Sequence, residues 1–354
     1  MTSPPQPNPE PLRLLFVKLK HIGDALLLTP TLVATRAQYP NAEIWVVVRK
    51  GTEGILAGCP AIDHLLTAAP NENDLRGHGS LWRDLCTLLH LRRQRFDYAF
   101  ELTDGDRGRW MVGFSRARER CGNANKLNLN GWWRNRFNRL SNIPKEVGHR
   151  VEKDFNLVGE FLPLDQDIPP LKFESSPAVT SGFGDKLTDF VVIHPGTRWI
   201  KKRWLKEYWL DLGKQLLQLT SHIVISSGPD PKERALAREL AEAWGASCAT
   251  STDGQLDWAG LAGLLNRARC FVGVDTAAMH LSAACQCPTV AIFAYSVLDH
   301  WRPWKVSYEV LHLGDQLPPR GKGQRPATEV MEKLTPMQVM EAVERQFRPV
   351  PTKD

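Results

Sequence analysis

The sequence predicts an α/β protein of two doubly wound domains, and three observations carry that prediction. Short apolar runs rich in β-branched residues alternate with longer helix-like segments, the rhythm of repeated βαβ units around a parallel sheet. A length of 354 residues suits two domains, each with enough chain to bury a core of its own. Apolar continuity thins once, between Phe161 and Asp189, where Pro163, Pro169, Pro170, Ser175, Ser176, Pro177 and Gly182-Phe183-Gly184 accumulate as a linker would require. The expected organisation is an N-terminal domain over 12–162, a linker over 163–188, a C-terminal domain over 189–335 and a closing helix over 336–348.

In the first half, strands are expected at 14–17, 44–48, 64–67 and 98–102, with helices over 25–38 and 81–93. The second half reads as strands at 190–194, 223–226, 270–274 and 289–293, with helices over 205–219, 231–244, 258–267 and 276–285. Open α/β sheets bind ligands beyond the carboxyl ends of their strands. Two such domains joined by a linker place a cleft between two sets of strand ends, so the residues just after the strands are the candidates for chemistry.

Composition narrows the class. Apolar residues make up 42% and charged residues 24%, ordinary for a globular enzyme. Residues 1–11 are Pro-rich and polar, with neither the basic nor the apolar region of a signal peptide. No apolar run approaches the ~18 residues that span a bilayer. The seven cysteines are scattered, and Cys285-Gln286-Cys287 lacks the two-residue spacer of a redox or zinc site, so buried thiols in a reducing compartment are expected.

Four strand ends carry unusual chemistry. Lys18-Leu19-Lys20-His21-Ile22-Gly23-Asp24 closes the first strand and opens a helix. Asp24 reads either as a helix N-cap or as a general base that accepts a proton from an attacking hydroxyl. His194-Pro195-Gly196-Thr197-Arg198-Trp199-Ile200-Lys201-Lys202-Arg203-Trp204 loads a Gly-containing loop with cations, either a solvated basic loop or a diphosphate site. Gly273-Val274-Asp275-Thr276-Ala277-Ala278-Met279-His280 delivers an acid and a hydroxyl to a new helix. Thr276 can cap that helix while its N–H groups bind phosphate, and His280, one turn along, reads equally as a structural or a ligand-facing histidine. In Ser226-Ser227-Gly228-Pro229-Asp230-Pro231-Lys232-Glu233, Asp230 is a cap or a ribose contact.

Other features are weaker or exclude alternatives. Asp104-Gly105-Asp106 resembles an acidic pair for Mg²⁺ or Mn²⁺, but an arginine-rich stretch follows and can pair with it. No Gly-x-Gly-x-x-Gly follows the first strand, and there is no Walker A loop. Residues 107–153 hold twelve Lys/Arg against three Asp/Glu, a local excess of nine that exceeds the chain's net +6. Trp110, Phe114, Trp132, Trp133 and Phe137 interleave it, so the partner is anionic: nucleic acid, a membrane surface or a phosphorylated sugar chain.

Taken as an ordered set, Lys18-x-x-x-Ile22-Gly23-Asp24, His194-Pro195-Gly196-Thr197 with Lys202-Arg203-Trp204, and Gly273-Val274-Asp275-Thr276 with His280 resemble the signatures of glycosyltransferase family 9, the ADP-heptose:lipopolysaccharide heptosyltransferases. The agreement runs over about 12–348, and His300-Trp301-Arg302-Pro303-Trp304 with Leu313-Gly314-Asp315 is most similar to the branch that adds the third, side-branch heptose. The resemblance implies a GT-B fold of two Rossmann-like domains facing a cleft, with acceptor on the N-terminal domain and nucleotide sugar on the C-terminal one. It implies Asp24 as catalytic base, Thr197, Lys202, Asp275, Thr276 and His280 as donor contacts, and Asp230 as a ribose contact with Glu233 competing for that role. Neither a metal nor another cofactor is implied. Partners would be ADP-heptose and the lipopolysaccharide inner-core acceptor, met by a peripheral enzyme at the cytoplasmic face of the inner membrane, with Arg107, Arg109, Arg134 and Arg136 on the anionic acceptor. Two departures bear on the donor pocket: Ala277 stands where the family usually has Gly, and Ala294-Tyr295 replaces a common Gly-Pro.

Rival readings are a GT-B enzyme for another donor such as a UDP-hexosamine, a nucleic-acid-binding protein using the basic stretch, and a silent carbohydrate-binding scaffold. The second would show steep salt dependence and no need for Asp24.

Overall fold

The computed structural model describes residues 11–70, 79–126, 131–144, 148–165, 167–175, 187–294, 296–313 and 329–347. The chain divides into two compact units. Unit 1 comprises Met1–Glu53, Cys59–Val147 and Val151–Pro169; unit 2 comprises Gly54–Gly58, Gly148–Arg150 and Pro170–Asp354. All seven cysteines are free thiols.

Unit 1 is built from β1 (Arg13–Lys18), α1 (Ile22–Leu26), α2 (Thr29–Gln38), β2 (Glu43–Arg49), β3 (His64–Ala68), α3 (Gly79–Gln94), β4 (Tyr98–Glu101), α4 (Asp106–Gly113), β5 (Glu119–Asn123), α5 (Gly131–Arg134), β6 (Arg139–Ser141) and α6 (Arg150–Phe161). Its sheet is parallel throughout, in the order β3-β2-β1-β4-β5-β6. Helices cover both faces, so β1 is buried from Leu14 to Lys18 and reads as a continuous apolar run. Leu15, Val17, Trp45 and Val47 share one core with Leu91, Met111, Val112, Trp133 and Phe137, while Phe16 stacks on Phe100.

One helix is expected over 25–38, but the chain forms two. Pro30 has no N–H to offer the carbonyl of Leu26 four residues back, and the Thr29 hydroxyl donates to that oxygen instead at 2.8 Å. Elements α4, β5, α5, β6 and α6 have no counterpart in the sequence reading. They are short, and Arg, Asn and Gly interrupt the periodicities that identify helix and strand.

Unit 2 contains β7 (Phe190–His194), α7 (Lys206–Leu216), β8 (His222–Ile225), α8 (Pro231–Trp244), β9 (Ala249–Ser251), α9 (Trp258–Leu265), β10 (Phe271–Val274), α10 (Ala277–Ala284), β11 (Thr289–Phe293), α11 (Leu298–Trp301), β12 (Tyr308–His312), α12 (Glu329–Glu332) and α13 (Pro336–Gln346). The sheet order is β12-β11-β10-β7-β8-β9, again all parallel. Here the local signals hold closely. Asp230 caps α8 by accepting from the backbone N–H of Lys232 and Glu233, and Pro231 fills the first position, where no N–H is needed. A capping box between Thr335 and Gln338 starts α13, which packs on α7, β11 and β12. Trp204 and Trp209 meet edge to face at 4.9 Å, and the Trp204 indole N–H donates to the Leu334 carbonyl at 2.7 Å.

Both sheets share a topological feature. The chain winds outward from β1 to β3, then returns to β1's other side with β4; likewise it winds from β7 to β9, then returns beside β7 with β10. Each return makes a switch point, at β1/β4 and at β7/β10, where successive crossovers leave in opposite directions.

The β1/β4 junction is laced by a buried carboxyl. Glu101 at the end of β4 accepts from the backbone N–H of Thr103 at 2.9 Å and of Asp104 at 3.0 Å, and Thr103 Oγ1 accepts from Leu19 N–H at 2.9 Å. Gly108 of α4 packs so closely here that a Cβ would lie 2.3 Å from Glu101 Oε1. Burial above all, with the nearby Asp104 charge, pushes the Glu101 carboxyl up from 4.5 to about 7, against the pull of the two N–H groups and Arg109. A carboxyl that holds its proton more tightly when folded contributes stability below its ordinary range and loses it as pH rises through about 7. The Glu101→Gln variant is therefore expected to flatten the pH profile of the melting temperature between pH 4.5 and 8. The span of the wild-type slope attributable to this group is on the order of 3 kcal/mol. Parallel thermal-melt profiles for the two proteins would remove Glu101 as the titrating group.

Candidate active site

At the switch point of unit 1, β1 ends in Lys18, whose buried ammonium donates to Asp154 Oδ2 of α6 at 2.5 Å. Burial alone would lower the Lys18 ammonium, but the charges of Asp154, Asp24 and Asp104 outweigh it and hold the proton above its ordinary range. The next turn starts α1, and its N-cap position is His21, with extended φ −75° and ψ 169°. Asp24 is the third residue of that helix, so the capping reading of Asp24 does not hold. Its side chain is 8% exposed and makes no hydrogen bond or ion pair with any described residue. A carboxylate left without a donor at the carboxyl end of a central strand is free to accept a proton from a ligand.

Beside it, Asp104 is engaged by Lys153 at 2.6 Å and Lys20 at 3.9 Å, and Asp106 by Arg109 at 2.7 Å. Among the described residues no group of three or more His, Cys, Asp or Glu is arranged to hold a metal. Cations already fill the acidic pair's coordination, though for Asp104 they are lysines rather than the expected arginines.

The four arginines expected on an acceptor lie in two places. Arg107 and Arg109 sit in the first turn of α4, at the carboxyl end of β4. Arg107 forms a two-pronged pair with Asp84 of α3 and donates to the Ala69 carbonyl at 2.7 Å. Arg134 is exposed at the end of α5, and Arg136 lies over the rings of Phe114 and Trp132 at 4.4 and 5.2 Å. Phe114 follows α4, so Arg136 belongs to the amino-terminal edge of the sheet, opposite Asp24.

In unit 2, the loop after β7 buries Thr197, whose Oγ1 accepts from Trp199 N–H at 3.2 Å, then makes a 3₁₀ turn at Ile200–Lys202. The helix expected to follow this loop from about 205 starts at Lys206, and Lys202 itself is presented by the turn before it. Lys202 reaches across the β7/β10 switch point and donates to Asp275 Oδ2 at 2.5 Å, and Ser296 donates to the same oxygen. Thr276 occupies the N-cap position of α10 but makes no capping bond, and its buried hydroxyl has no partner. His280 lies one turn on, buried in α10. Ala277 is the helix's first residue, so its methyl stands at the very turn where the family commonly has none. Tyr295, Gly314 and Asp315 lie outside the described residues.

The adjacent end of β8 adds a second unpartnered buried hydroxyl, Ser227 Oγ. Asp230 spends its carboxylate on capping α8. Glu233 turns inward: its Oε2 accepts from Gly228 N–H at 3.2 Å and lies 2.8 Å from where a Cβ on Gly196 would stand. Glycine at 196 lets the β7 loop pass close over this carboxylate, and a larger residue there would displace the Glu233 side chain. Burial pushes the Glu233 carboxyl up. His194 is held well below its ordinary value, at about 4, by burial and lies 2.9 Å from Ser226 Oγ, so it is a neutral core residue.

Sequence reasoning missed Asp154, Lys153, Glu101, Ser227 and Ser296. Their partners stand 136 and 49 residues away for Asp154 and Lys153, and no local pattern marks such pairs.

Residues 87–329, more than half of the chain, match the profile of glycosyltransferase family 9 (heptosyltransferase). An Escherichia coli protein named lipopolysaccharide heptosyltransferase 3 is 26% identical over 315 residues, covering 86% of this chain and 90% of that protein. The crystal structure of a family 9 glycosyltransferase from Veillonella parvula superposes with a TM-score of 0.77 at 18% identity, covering 95% of this chain and 97% of that one. The E. coli heptosyltransferase WaaC, solved with ADP-2-deoxy-2-fluoro heptose, gives 0.76 at 20% identity, covering 94% and 99%. The fold is thus GT-B, with two Rossmann-like domains. With the profile matched over more than half of its length, the chain belongs to glycosyltransferase family 9, the heptosyltransferases.

Proposed function

We propose that this enzyme transfers a heptose from ADP-heptose to a heptose of the lipopolysaccharide inner core, with inversion and without a metal. The observation that carries the reading is Asp24, a nearly buried carboxylate with no partner in a family 9 chain. The relative named lipopolysaccharide heptosyltransferase 3 supports lipopolysaccharide as the acceptor class. The ADP-heptose analogue bound by WaaC supports the donor.

The chemistry is a single displacement. Asp24 takes the proton from an acceptor hydroxyl as its oxygen attacks the anomeric carbon, and the bond from that carbon to the diphosphate breaks on the opposite face. ADP departs with negative charge building on the diphosphate. Lys202, the backbone N–H groups after His194 and the first turn of α10 stabilise that charge, and Thr276 and Ser227 offer hydroxyls that have no protein partner. Asp275 holds the Lys202 ammonium at the switch point until a diphosphate replaces it. Arg107 and Arg109, at the carboxyl end of β4, serve the phosphorylated acceptor, whereas Arg134 and Arg136, which were expected to join them, lie by the opposite edge of the sheet and are not assigned to it; 12–162 forms the acceptor domain, 189–335 the donor domain. Asp230 and Glu233 remain the two candidates for the ribose, with Glu233 favoured because it turns inward while Asp230 caps α8. The acceptor is anchored in a bilayer, and no helix among the described residues is long and apolar enough to cross one, so the enzyme works at the cytoplasmic membrane surface.

The direct test is ADP release with ADP-heptose and a panel of truncated lipopolysaccharides, run against a UDP-hexosamine as rival donor. Asp24→Asn is expected to fold normally and lose ~10²–10⁴ in turnover, the usual weight of a general base. Turnover near wild type in that variant would remove Asp24 from the mechanism. Lys202→Ala is expected to weaken ADP binding and to slow the reaction as well, because the ammonium serves before and after the bond breaks; a loss confined to acceptor affinity would misplace the donor loop. Activity is expected to survive EDTA, since fixed cations and a helix N-terminus supply the positive charge. Complete loss on chelation, restored by Mg²⁺ or Mn²⁺, would return Asp104 and Asp106 to consideration as ligands.

A further inference from the structure

A second concentration of charge in unit 1 takes no part in this chemistry. A pocket of about 210 Å³ opens beside the last turns of α3 and α4 and the start of β5, lined by Arg92, Arg116, Arg120 and Arg136 together with Phe114 and Asn135. It lies at the amino-terminal edge of the sheet. Asp24 stands at the carboxyl edge, and strands of five or six residues separate the two edges by roughly 15 Å. Among the described residues none of the four guanidiniums has a carboxylate within 4.0 Å. Three are held in place by other means. Arg92 donates to the Phe114 carbonyl at 3.2 Å, Arg120 to the carbonyls of Arg136 and Ala117 at 2.6 and 2.7 Å, and Arg136 lies 4.4 Å over the Phe114 ring. Arg116, exposed and held at φ +63°, completes the ring. Four guanidiniums lining one pocket, three of them held in place and none paired with a carboxylate among the described residues, repel one another and call for an anion, and their fork geometry suits phosphate oxygens.

The surroundings of the pocket say which phosphate. Phe114 and Arg136 belong to an aromatic cluster whose outer members, Trp110 and Trp132, are 46% and 45% exposed and 5.4 Å apart. On α3, Trp82, Leu85 and Leu89 are exposed at spacings of three and four, one stripe along a helix whose last turn supplies Arg92. The Arg92–Phe114 and Arg107–Asp84 bonds join α3 to α4, so stripe, tryptophans and pocket belong to the same helical layer. Exposed tryptophans beside apolar side chains and arginines are the composition of a surface that lies in a headgroup layer. A soluble phosphate would need only the arginines.

We propose that this pocket binds the headgroup phosphate of an anionic phospholipid and that Trp82, Leu85, Leu89, Trp110 and Trp132 enter the bilayer interface around it. The inference deepens the reading above only in that it rests on a membrane-borne acceptor. It requires neither Asp24 nor the donor loop, and it is measured without turnover.

The test is co-sedimentation of the full chain with vesicles of phosphatidylcholine alone or with a third phosphatidylglycerol. Wild type is expected to partition at least tenfold more strongly onto the mixed vesicles. Arg116→Glu is expected to lose at least tenfold of that partition, and Arg116→Gln an intermediate amount. Lys214→Glu, an equal charge reversal on exposed α7, is expected to match wild type. Wild-type melting temperature and ADP affinity in Arg116→Glu establish that it is folded. Trp132→Ala is expected to weaken binding to the mixed vesicles several-fold. Equal partition of wild type onto both vesicles, or equal loss in Arg116→Glu and Lys214→Glu, would overturn the proposal. So would binding of inorganic phosphate by calorimetry with no partition onto vesicles, which would make the pocket a site for a free anion.

Discussion

The reversal of strand order in each sheet is the constraint on which the rest depends. Where two neighbouring parallel strands send their crossovers in opposite directions, no connection covers the space between their carboxyl ends. In unit 1 that space lies over β1 and β4, and in unit 2 over β7 and β10. Lys18, Asp24 and Asp104 follow the first pair; Thr197, Lys202, Asp275 and Thr276 follow the second. Residues more than seventy positions apart, such as Lys202 and Asp275, become neighbours because the sheet order makes their strands adjacent. The same topology leaves groups at these ends without covering chain: among the described residues, the buried hydroxyl of Thr276 after β10 has no hydrogen-bond partner, and neither has that of Ser227 after the adjacent β8.

Charge at these ends is held in pairs. Lys18 with Asp154, Lys153 with Asp104, and Lys202 with Asp275 each join an ammonium to a carboxylate across elements that pack only in the folded chain. A buried ion on its own costs several kcal/mol, so the partner is obligatory even where the pair adds little net stability. Two of these pairs are nearly inaccessible, but Lys202 retains 28% of its side-chain exposure against 7% for Asp275. The lysine of that pair is the more accessible member, as the proposed contact with a diphosphate requires.

Legibility in the sequence followed the range of the interaction that fixes each feature. The limits of α8 and β11 are readable because a cap, a first-turn proline and an uninterrupted β-branched run are all local. The break between α1 and α2 was readable in principle from Thr29-Pro30, whose missing N–H ends one ladder and starts another. The stretch from α4 to α6 hides its elements because buried apolar residues there come singly or in pairs: Met111-Val112, Cys121, Phe137 and Leu157-Val158 are core positions separated by polar and charged residues. At the site, strand-end position marked Asp24, Thr197, Lys202, Asp275 and Thr276. It could not say that Asp24 lacks a partner, that Asp230 is spent on a cap, or that Asp104 pairs with lysine. The charge excess over 107–153 likewise conceals two populations, arginines such as Arg107 and Arg109 already bound to Asp84 and Asp106, and arginines such as Arg116, Arg120 and Arg136 that are not.

The contrast between Asp24 and its neighbours bears on catalysis itself. Asp154 and Asp104 are each bonded to a lysine, so their oxygens are occupied. Asp24 lies in the field of Lys18, close enough to help hold that lysine's proton, yet the lysine's hydrogen bond goes to Asp154. Asp154 thereby leaves Asp24 with its lone pairs free and prevents Lys18 from occupying them. One cation, one carboxylate that binds it and a second that does not leave Asp24 nearly buried and, among the described residues, without a hydrogen-bond partner, which is the geometry the proposed role requires.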